Sequence, residues 1–558
     1  MTRTLRSNYE PGSSLWAVRR AQWRALGLTD ADMEKPKIAV VNTSSELAIC
    51  FSHLDEVAKT VKQAIRDAGG LPFEVRTAAP SDFIHSAGQA GRYILPTRDL
   101  IVNDIEVQVD GAMMDGMVCL TSCDKTVPGH LMAAARLNLP TILVIGGYQP
   151  SGHYKNHHMD IEEVFLGAGH YVAGKIGFDE LLGMSDNAIL GPGVCSGMGT
   201  ANSMHVVAEA LGMSLPGGAP VLANSPRMTD YARESGKRIV EMVWEDLRPR
   251  QILTRGAFAN AAMAVLAVSG SINCIKHLQA TAVEAGLDVN VYKMFEDYGE
   301  TIPVISAVRP IGDTSIEAFE QAGGARAVMK QLEDFVEKDV LTVSGKTVGE
   351  NLQGVTVADE DAIRPASNPL ATKPAIVIVR GSLAPDGGII KLGLRHGKNL
   401  TFSGHAICFA QAVDAIEAIK RHEIKPGHVV VLRGLGVMGG PGMGMASRVV
   451  FAIDGANLGP EVAVVTDGQL SGLVNKGLVI GEVTPEAAIG GPLGLVQDGD
   501  PISIDVEART ANLDIPAEEL ERRRAAFKQT DYPDQGWLSI YRRSAHPLSQ
   551  GASLVVPR

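Results

Sequence analysis

Three short segments hold the most reactive residue types of this chain: Glu46-Leu47-Ala48-Ile49-Cys50, Ser122-Cys123-Asp124-Lys125-Thr126-Val127-Pro128-Gly129 and Gly193-Val194-Cys195-Ser196-Gly197-Met198. Three thiolates far apart in sequence, each in a glycine-rich or polar turn setting, suit an iron–sulfur cluster with one iron left open to substrate. The middle segment also sets a carboxylate and an amine, Asp124 and Lys125, beside its cysteine, which makes room for a hard-cation site next to the soft one. The spacing matches no zinc-finger or ferredoxin pattern, and spacing alone favours free buried thiols. Cys119, in the apolar run 117–120, reads as a buried strand residue, and Cys274 and Cys408 lie in helix-like apolar settings.

Such residues need elements to bring them together. Up to about residue 370 the chain alternates short β-branched runs with helical segments, the signature of a parallel sheet wrapped by helices. Strands are expected at 38–42, 116–120, 141–147 and 220–223, and helices at 54–68, 129–137, 201–211 and 257–269. The cysteine segments then fall at strand ends or loop-to-helix junctions, where open α/β sheets bind ligands. From about residue 375, Val/Ile-rich runs at 375–379, 428–432, 461–465 and 502–506 alternate with glycine-dense turns, which predicts a small β-barrel. The expected class is α/β: an N-terminal parallel-sheet α/β domain (1–370) followed by a smaller C-terminal β-barrel domain (371–558). Pro365 and Pro369 mark the boundary. The residues after about 531 read as irregular and able to pack on a neighbour.

The 558 residues exceed a single core, and 45% hydrophobic with 20% charged residues is ordinary for a soluble protein. A net charge of −12 argues against nucleic acid or an anionic membrane as the main partner. The first residues show no apolar signal core and there is no apolar run of membrane-spanning length, so a cytoplasmic protein with reduced thiols is expected.

Four motifs occur in order: Ser122–Gly129; Pro192-Gly193-Val194-Cys195-Ser196-Gly197-Met198-Gly199-Thr200-Ala201-Asn202; Gly439-Gly440-Pro441-Gly442-Met443; and Thr466-Asp467-Gly468-Gln469-Leu470-Ser471-Gly472. With Tyr93–Leu100, Gly270–Asn273, Leu383–Gly388 and Val483–Ala488, they give a chain that resembles the dihydroxy-acid dehydratase / 6-phosphogluconate dehydratase family, which includes the sugar-acid dehydratases. The resemblance covers nearly the whole chain. It implies a hydro-lyase converting a 2,3-dihydroxy carboxylate to a 2-oxo acid, working as a homodimer or dimer of dimers with active sites near the subunit interface. Carried over by residue, Cys50, Cys123 and Cys195 match cluster ligands; three cysteines are compatible with a 2Fe–2S or a 4Fe–4S centre, of which 2Fe–2S is preferred. Asp82 and Asp124 match carboxylate ligands of Mg2+, Lys125 matches a lysine often carbamylated there, and Ser471 matches the base. Ser196, Gly197, Met443 and Met445 are assigned to substrate contact.

Without the resemblance, Asp82 after Pro80-Ser81 is a turn residue or helix cap, Ser471 is turn chemistry, and Gly439–Met443 is a tight turn as readily as a phosphate cradle. His53, His85, His130 and His153 lie near the motifs with no role assigned. The chain departs from the family pattern at Met445, which takes the position of a glutamate ligand; a thioether binds a hard cation poorly, which leaves water or Asp454 as substitutes. Phe83 stands where relatives commonly have glycine, and Leu473-Val474-Asn475-Lys476 replaces a small polar stretch; Lys476 is a substrate-anion ligand or a surface lysine. A short branched dihydroxy acid of amino-acid biosynthesis is the expected substrate. An aldonic acid of sugar catabolism is the alternative, and a homologue with a decayed magnesium site is a third reading that six retained residues (Cys50, Cys123, Asp124, Lys125, Cys195, Ser471) oppose.

Overall fold

The structure, a computed structural model, describes residues 4–88, 91–373, 375–392, 394, 400–440, 442–471, 477–529 and 535–555. The expected N-terminal sheet is present, with four parallel strands: β1 (Lys37–Asn42), β2 (Leu71–Arg76), β3 (Gly116–Thr121) and β4 (Thr141–Ile145), in the order β2-β1-β3-β4. β1, β3 and β4 are buried along their whole length, so both faces are covered by helices and near-continuous apolar runs replace alternation. The chain reverses its direction of winding between β1 and β3, and a crevice opens there beyond the strands' C-terminal ends.

The expected strand at 220–223 is instead a single bridge from Leu222 to Tyr148. Tyr148 donates its N–H to Val221 O and accepts from Ala223 N–H, both at 2.9 Å, but Pro220 has no N–H with which to extend the ladder. A short hairpin, β5 (Gly152–Tyr154) and β6 (His157–Met159), leads into the helices Ile161–Val172 and Phe178–Asn187. Behind the crevice, helices Thr200–Ala210, Arg255–Ala267 and Asn273–Ala285 are buried on almost every side, which their abundance of alanine allows.

The second sheet has eight strands: β7 (Ile376–Val379), β8 (Gly387–Lys391), β9 (Thr401–Phe409), β10 (His428–Leu432), β11 (Ala463–Thr466), β12 (Leu478–Thr484), β13 (Pro501–Asp505) and β14 (Thr510–Leu513). Their order is β14-β13-β9-β10-β11-β12-β8-β7, with β9 to β12 parallel. The two edges nearly close the barrel, Arg380 N–H donating to Arg509 O and Ala511 N–H to Arg380 O, each at 2.9 Å. Period two then divides the side chains. Val377, Val379, Val429, Val431 and Val465 fill the barrel, while Ile376, Ile378, Val430, Leu432 and Val464 join the core of the α/β region. The barrel's outer face is therefore a wall of the larger core.

The C-terminal segment is not irregular. Helix Gly536–Ser544 and the residues after it pack on their own chain, where Tyr541, Ala545, Leu548 and Ala552 enclose Leu95, Val437 and Met443. Arg98 donates from Nη2 to Gly551 O and Ala552 O at 2.9 and 3.0 Å. Among the described residues, no helix is long and apolar enough to cross a membrane.

Candidate active site

The three cysteine loops leave the sheet at neighbouring strand ends. Cys50 follows β1, Cys123 follows β3, and Cys195 lies where Val194 N–H donates to Gly147 O (2.9 Å) and Val194 O accepts from Gln149 N–H (2.7 Å), just beyond β4. Polar side chains bind the loops to one another through their carbonyls. Ser122 Oγ donates to Cys50 O (2.6 Å), His205 Nε2 to Ser122 O (2.7 Å), and Asn202 Nδ2 to both Cys195 O and Gly197 O (2.8 Å each). His205 and Asn202 stand on one face of helix Thr200–Ala210. Burial pushes His205 down to about 4, so the ring is neutral, and since a carbonyl only accepts, Nε2 carries the proton.

The acidic residues meet over Lys125. Its Nζ lies 3.3 Å from Asp82 Oδ2 and 3.9 Å from Asp124 Oδ2, with the lysine side chain fully buried. Burial opposes its charge, but the two carboxylates outweigh burial and hold its pKa above the ordinary lysine value. Asp124 is pushed up to about 8 by burial and by the Asp82 charge. The Cys123 thiol is pushed well above its usual range by its hydrogen bond with Cys50, by burial and by nearby negative charge, and Cys195 is raised by burial and by Asp124 and Cys50. Two carboxylates and the Cys123 sulfur thus surround one ammonium. Asp82 Oδ1 is buried with no hydrogen-bond partner among the described residues. A donor set this rich in sulfur and carboxylate, with an orphaned oxygen, fits soft and hard cations side by side.

One cavity of about 100 Å3 joins these groups, lined by Asp82, Cys123, Asp124, Cys195, Met445 and Ser471 among others. Ser471 sits in the connection from β11 to β12, and its N–H donates to Ser447 Oγ at 2.7 Å. The opposing chemistry is apolar. Phe83, Phe165 and Phe451 line the cavity and touch in sequence, with ring centroids 5.3 and 5.9 Å apart. Arg448 adds an exposed guanidinium to the lining. Among the described residues, no three His, Cys, Asp or Glu side chains are grouped so as to hold a metal ion.

Of the residues assigned to substrate contact, Gly197 and Met445 line this cavity. Met443 does not: it is fully buried in the C-terminal cluster, where its carbonyl accepts from Gln469 Nε2 at 2.9 Å. Ser196 is also fully buried and is not part of the lining; its Oγ has no partner among the described residues. Asp454 cannot replace the missing glutamate, because it lines a separate small cavity against Val464 and Val479. Lys476 and residues 472–475 lie outside the described residues. Of the nearby histidines, His53 Nε2 donates to Gly146 O (2.6 Å), His130 is buried with neither ring nitrogen partnered among the described residues, His85 bonds the Ser81 backbone and His153 is exposed on the hairpin. Sequence reasoning missed Phe165, Phe451, Arg448, Thr200 and Ser447. The only local signal was that Thr200 and Asn202 fall inside the third cysteine motif.

The comparisons with known proteins agree over both regions. The family model described as dihydroxy-acid/6-phosphogluconate dehydratase, N-terminal, matches residues 35–351, and its C-terminal counterpart matches residues 361–552. Dihydroxy-acid dehydratase 1 of Methanosarcina acetivorans is 42% identical over 539 residues, 96% of this chain and 97% of that protein. The dihydroxy-acid dehydratase of Methanococcoides burtonii is 41% identical over 552 residues, 98% of this chain and all of that protein. The Caldicellulosiruptor saccharolyticus enzyme of the same name is 41% identical over 541 residues, 96% and 98% of the two chains.

Proposed function

Because the chain belongs to the dihydroxy-acid/6-phosphogluconate dehydratase family, we propose that it dehydrates a short, branched 2,3-dihydroxy carboxylate to the 2-oxo acid. The observation that carries this reading is the single cavity that gathers Asp82, Asp124, Cys123, Cys195 and Ser471 under an aromatic wall. Phe83, Phe165, Phe451 and Met445 offer an alkyl group a favourable surface, whereas the hydroxyls of an aldonic acid would lose their hydration there without partners.

Cys50, Cys123 and Cys195 would hold an iron–sulfur cluster, and Asp82 and Asp124 a magnesium ion. Bound there, the two groups supply Lewis acidity, at the departing 3-hydroxyl and at the carboxylate and 2-hydroxyl respectively. The other steps belong to the protein's own residues. Arg448, at the exposed part of the cavity, draws the anionic substrate in. The aromatic wall excludes water from the reacting carbons. Ser471, with its backbone held by Ser447, takes the C2 proton at Oγ. An alcohol can do so only where positive charge stabilises its alkoxide; Gly199, Thr200 and Ala201, at the N-terminal end of helix Thr200–Ala210, line this cavity, and Lys125 lies behind its Asp82 and Asp124. The 3-hydroxyl departs as hydroxide and takes the proton from Ser471 Oγ to leave as water, restoring the base, and the remaining enol tautomerises to the 2-oxo acid.

Anaerobically prepared protein with Mg2+ is expected to form 2-oxo acid from 2,3-dihydroxyisovalerate in preference to gluconate, xylonate or arabinonate. Ser471→Ala should lower kcat by about 10²–10⁴-fold while iron content stays unchanged. A preference for the aldonic acids would overturn the substrate assignment, and full activity in Ser471→Ala would overturn that of the base.

A further inference from the structure

Behind the cavity lies a buried ion pair that the reaction as described does not use. Lys276 and Glu482 have side chains with no exposure, and Lys276 Nζ contacts both Glu482 Oε1 and Asn273 Oδ1. The second carboxylate oxygen of Glu482 is buried with no hydrogen-bond partner among the described residues. A pair taken out of water and left incompletely satisfied is no economical way to stabilise a core. The backbone adds to the cost: Glu482 is a non-glycine residue at φ +56°, at the register irregularity of β12 against β8. Strain of this kind persists where the surroundings impose it, commonly beside functional sites.

Asn273 links the pair to the active site. Its Nδ2 donates to Leu470 O at 3.0 Å and to Thr200 Oγ1 at 2.9 Å. Leu470 directly precedes Ser471, and Thr200, whose hydroxyl also pairs with Ser271 Oγ at 2.8 Å, lines the cavity together with Asp124. The orientation of this amide is determined by chemistry. An ammonium only donates, so Lys276 must face Oδ1, and Nδ2 is thereby turned toward the Leu470 carbonyl. The same bulge reaches the loop through the backbone, where Glu482 N–H donates to Gly468 O at 3.2 Å. At Gly481 an added Cβ would approach Leu470 Cδ1 to 2.6 Å, so β12 lies directly against the loop that carries the serine.

We infer that Lys276 and Glu482 are a positioning pair: they fix the Asn273 amide so that it holds the Leu470 carbonyl and Thr200, and through them the Ser471 hydroxyl and the cavity wall at Thr200. The pair touches no substrate. The inference rests on Ser471 as the base, and it names what keeps that base in place.

Three variants test it against wild type and Ser471→Ala. Asn273→Asp keeps an acceptor for Lys276 but loses the donor to Leu470 O, with almost no change in shape. Lys276→Met combined with Glu482→Leu removes both charges together and leaves none unpaired. Lys276→Glu combined with Glu482→Lys restores an ion pair but turns the amide, because a carboxylate at 276 accepts from Nδ2. All three should lower kcat by about a hundredfold with KM within about twofold, as expected for a base displaced by about 1 Å. Hydrogen–deuterium exchange on metal-free protein should rise in the peptide spanning 467–471 and stay unchanged in β10. Wild-type kcat and unchanged exchange in Asn273→Asp would overturn the inference even if the apolar pair failed to fold. Recovery of kcat by the charge-swapped pair would also overturn it, leaving the ion pair a purely electrostatic role. If Ser471→Ala kept its activity, the base assignment would fall, and the exchange measurement would still read whether the pair holds the loop.

Discussion

Met445 is the residue at which the chain's chemistry departs most from what its motifs imply. Its side chain lines the cavity beside Asp82 and Asp124, and its packing is tight: a Cβ on Gly91 would come within 2.8 Å of its Cγ. With a thioether there, a magnesium ion held by Asp82 and Asp124 would have to complete its shell with water and substrate oxygens, which suits an ion that dehydrates reluctantly. Met445→Glu should therefore tighten Mg2+ binding by about tenfold, equivalent to about 1.4 kcal/mol, as measured by titration calorimetry on cluster-free protein. Unchanged affinity would show that residue 445 does not reach the ion. Met443, two positions earlier, shows the limit of a motif: the same local glycine-rich sequence gives one methionine to the cavity and the other to the core.

At the scale of elements, the work is done by strand ends and the helices that follow them. Asn202 holds the Cys195 loop by two carbonyls from the first turn of its helix, so Asn202→Ala should leave both carbonyls without a partner, at a cost of about 1–3 kcal/mol. The expected result is reduced iron per chain after reconstitution; full loading would remove Asn202 from the site's framework. The Thr466–Gly468 and Pro485–Ala487 motifs serve the loop between β10 and β11. Asp467 accepts from the N–H groups of Gly434, Leu435 and Ala487, and Glu486 Oε1 accepts from Met438 and Gly439 at 2.8 and 2.9 Å. Burial, then the charge of Asp467, pushes Glu486 up to about 7 against an ordinary 4.5, although its N–H partners pull the other way. Its folded pKa exceeds the unfolded one, so the unfolded chain ionises first as pH rises. The stability it contributes below pH 4.5 is lost progressively up to pH 7, by at most about 3 kcal/mol. Glu486→Gln keeps an acceptor oxygen and cannot ionise. Between pH 5 and 7.5 its Tm should therefore fall less than that of wild type, by a few degrees; parallel curves would refute the assignment.

For the molecule as a whole, helices Ile161–Val172 and Phe178–Asn187 stand beside the site with Tyr171, Val172, Phe178 and Leu182 exposed, Tyr171 and Phe178 in ring contact at 6.2 Å. A surface of this kind is expected to be covered in a symmetric assembly. Light scattering should give two or four times the 59.1 kDa of one chain, and Phe178→Glu with Leu182→Glu should lower that mass; an unchanged assembly would place the interface elsewhere. The sequence by itself determined the fold class and the inner strands. A parallel sheet covered on both faces needs continuous apolar runs, and the valines of a barrel follow its pleat; both patterns are local. Ordered motifs also nominated Cys50, Cys123, Cys195, Asp82, Asp124, Lys125 and Ser471. Only the tertiary structure decided which other side chains meet them. Phe165 and Phe451 sit on helices that no motif marks, Lys276 and Glu482 are 206 residues apart, and Met445 and Asp454 line separate cavities. Local pattern sets the type of residue an element carries. The approach of elements remote in sequence, settled by packing their buried faces together, sets what that residue touches.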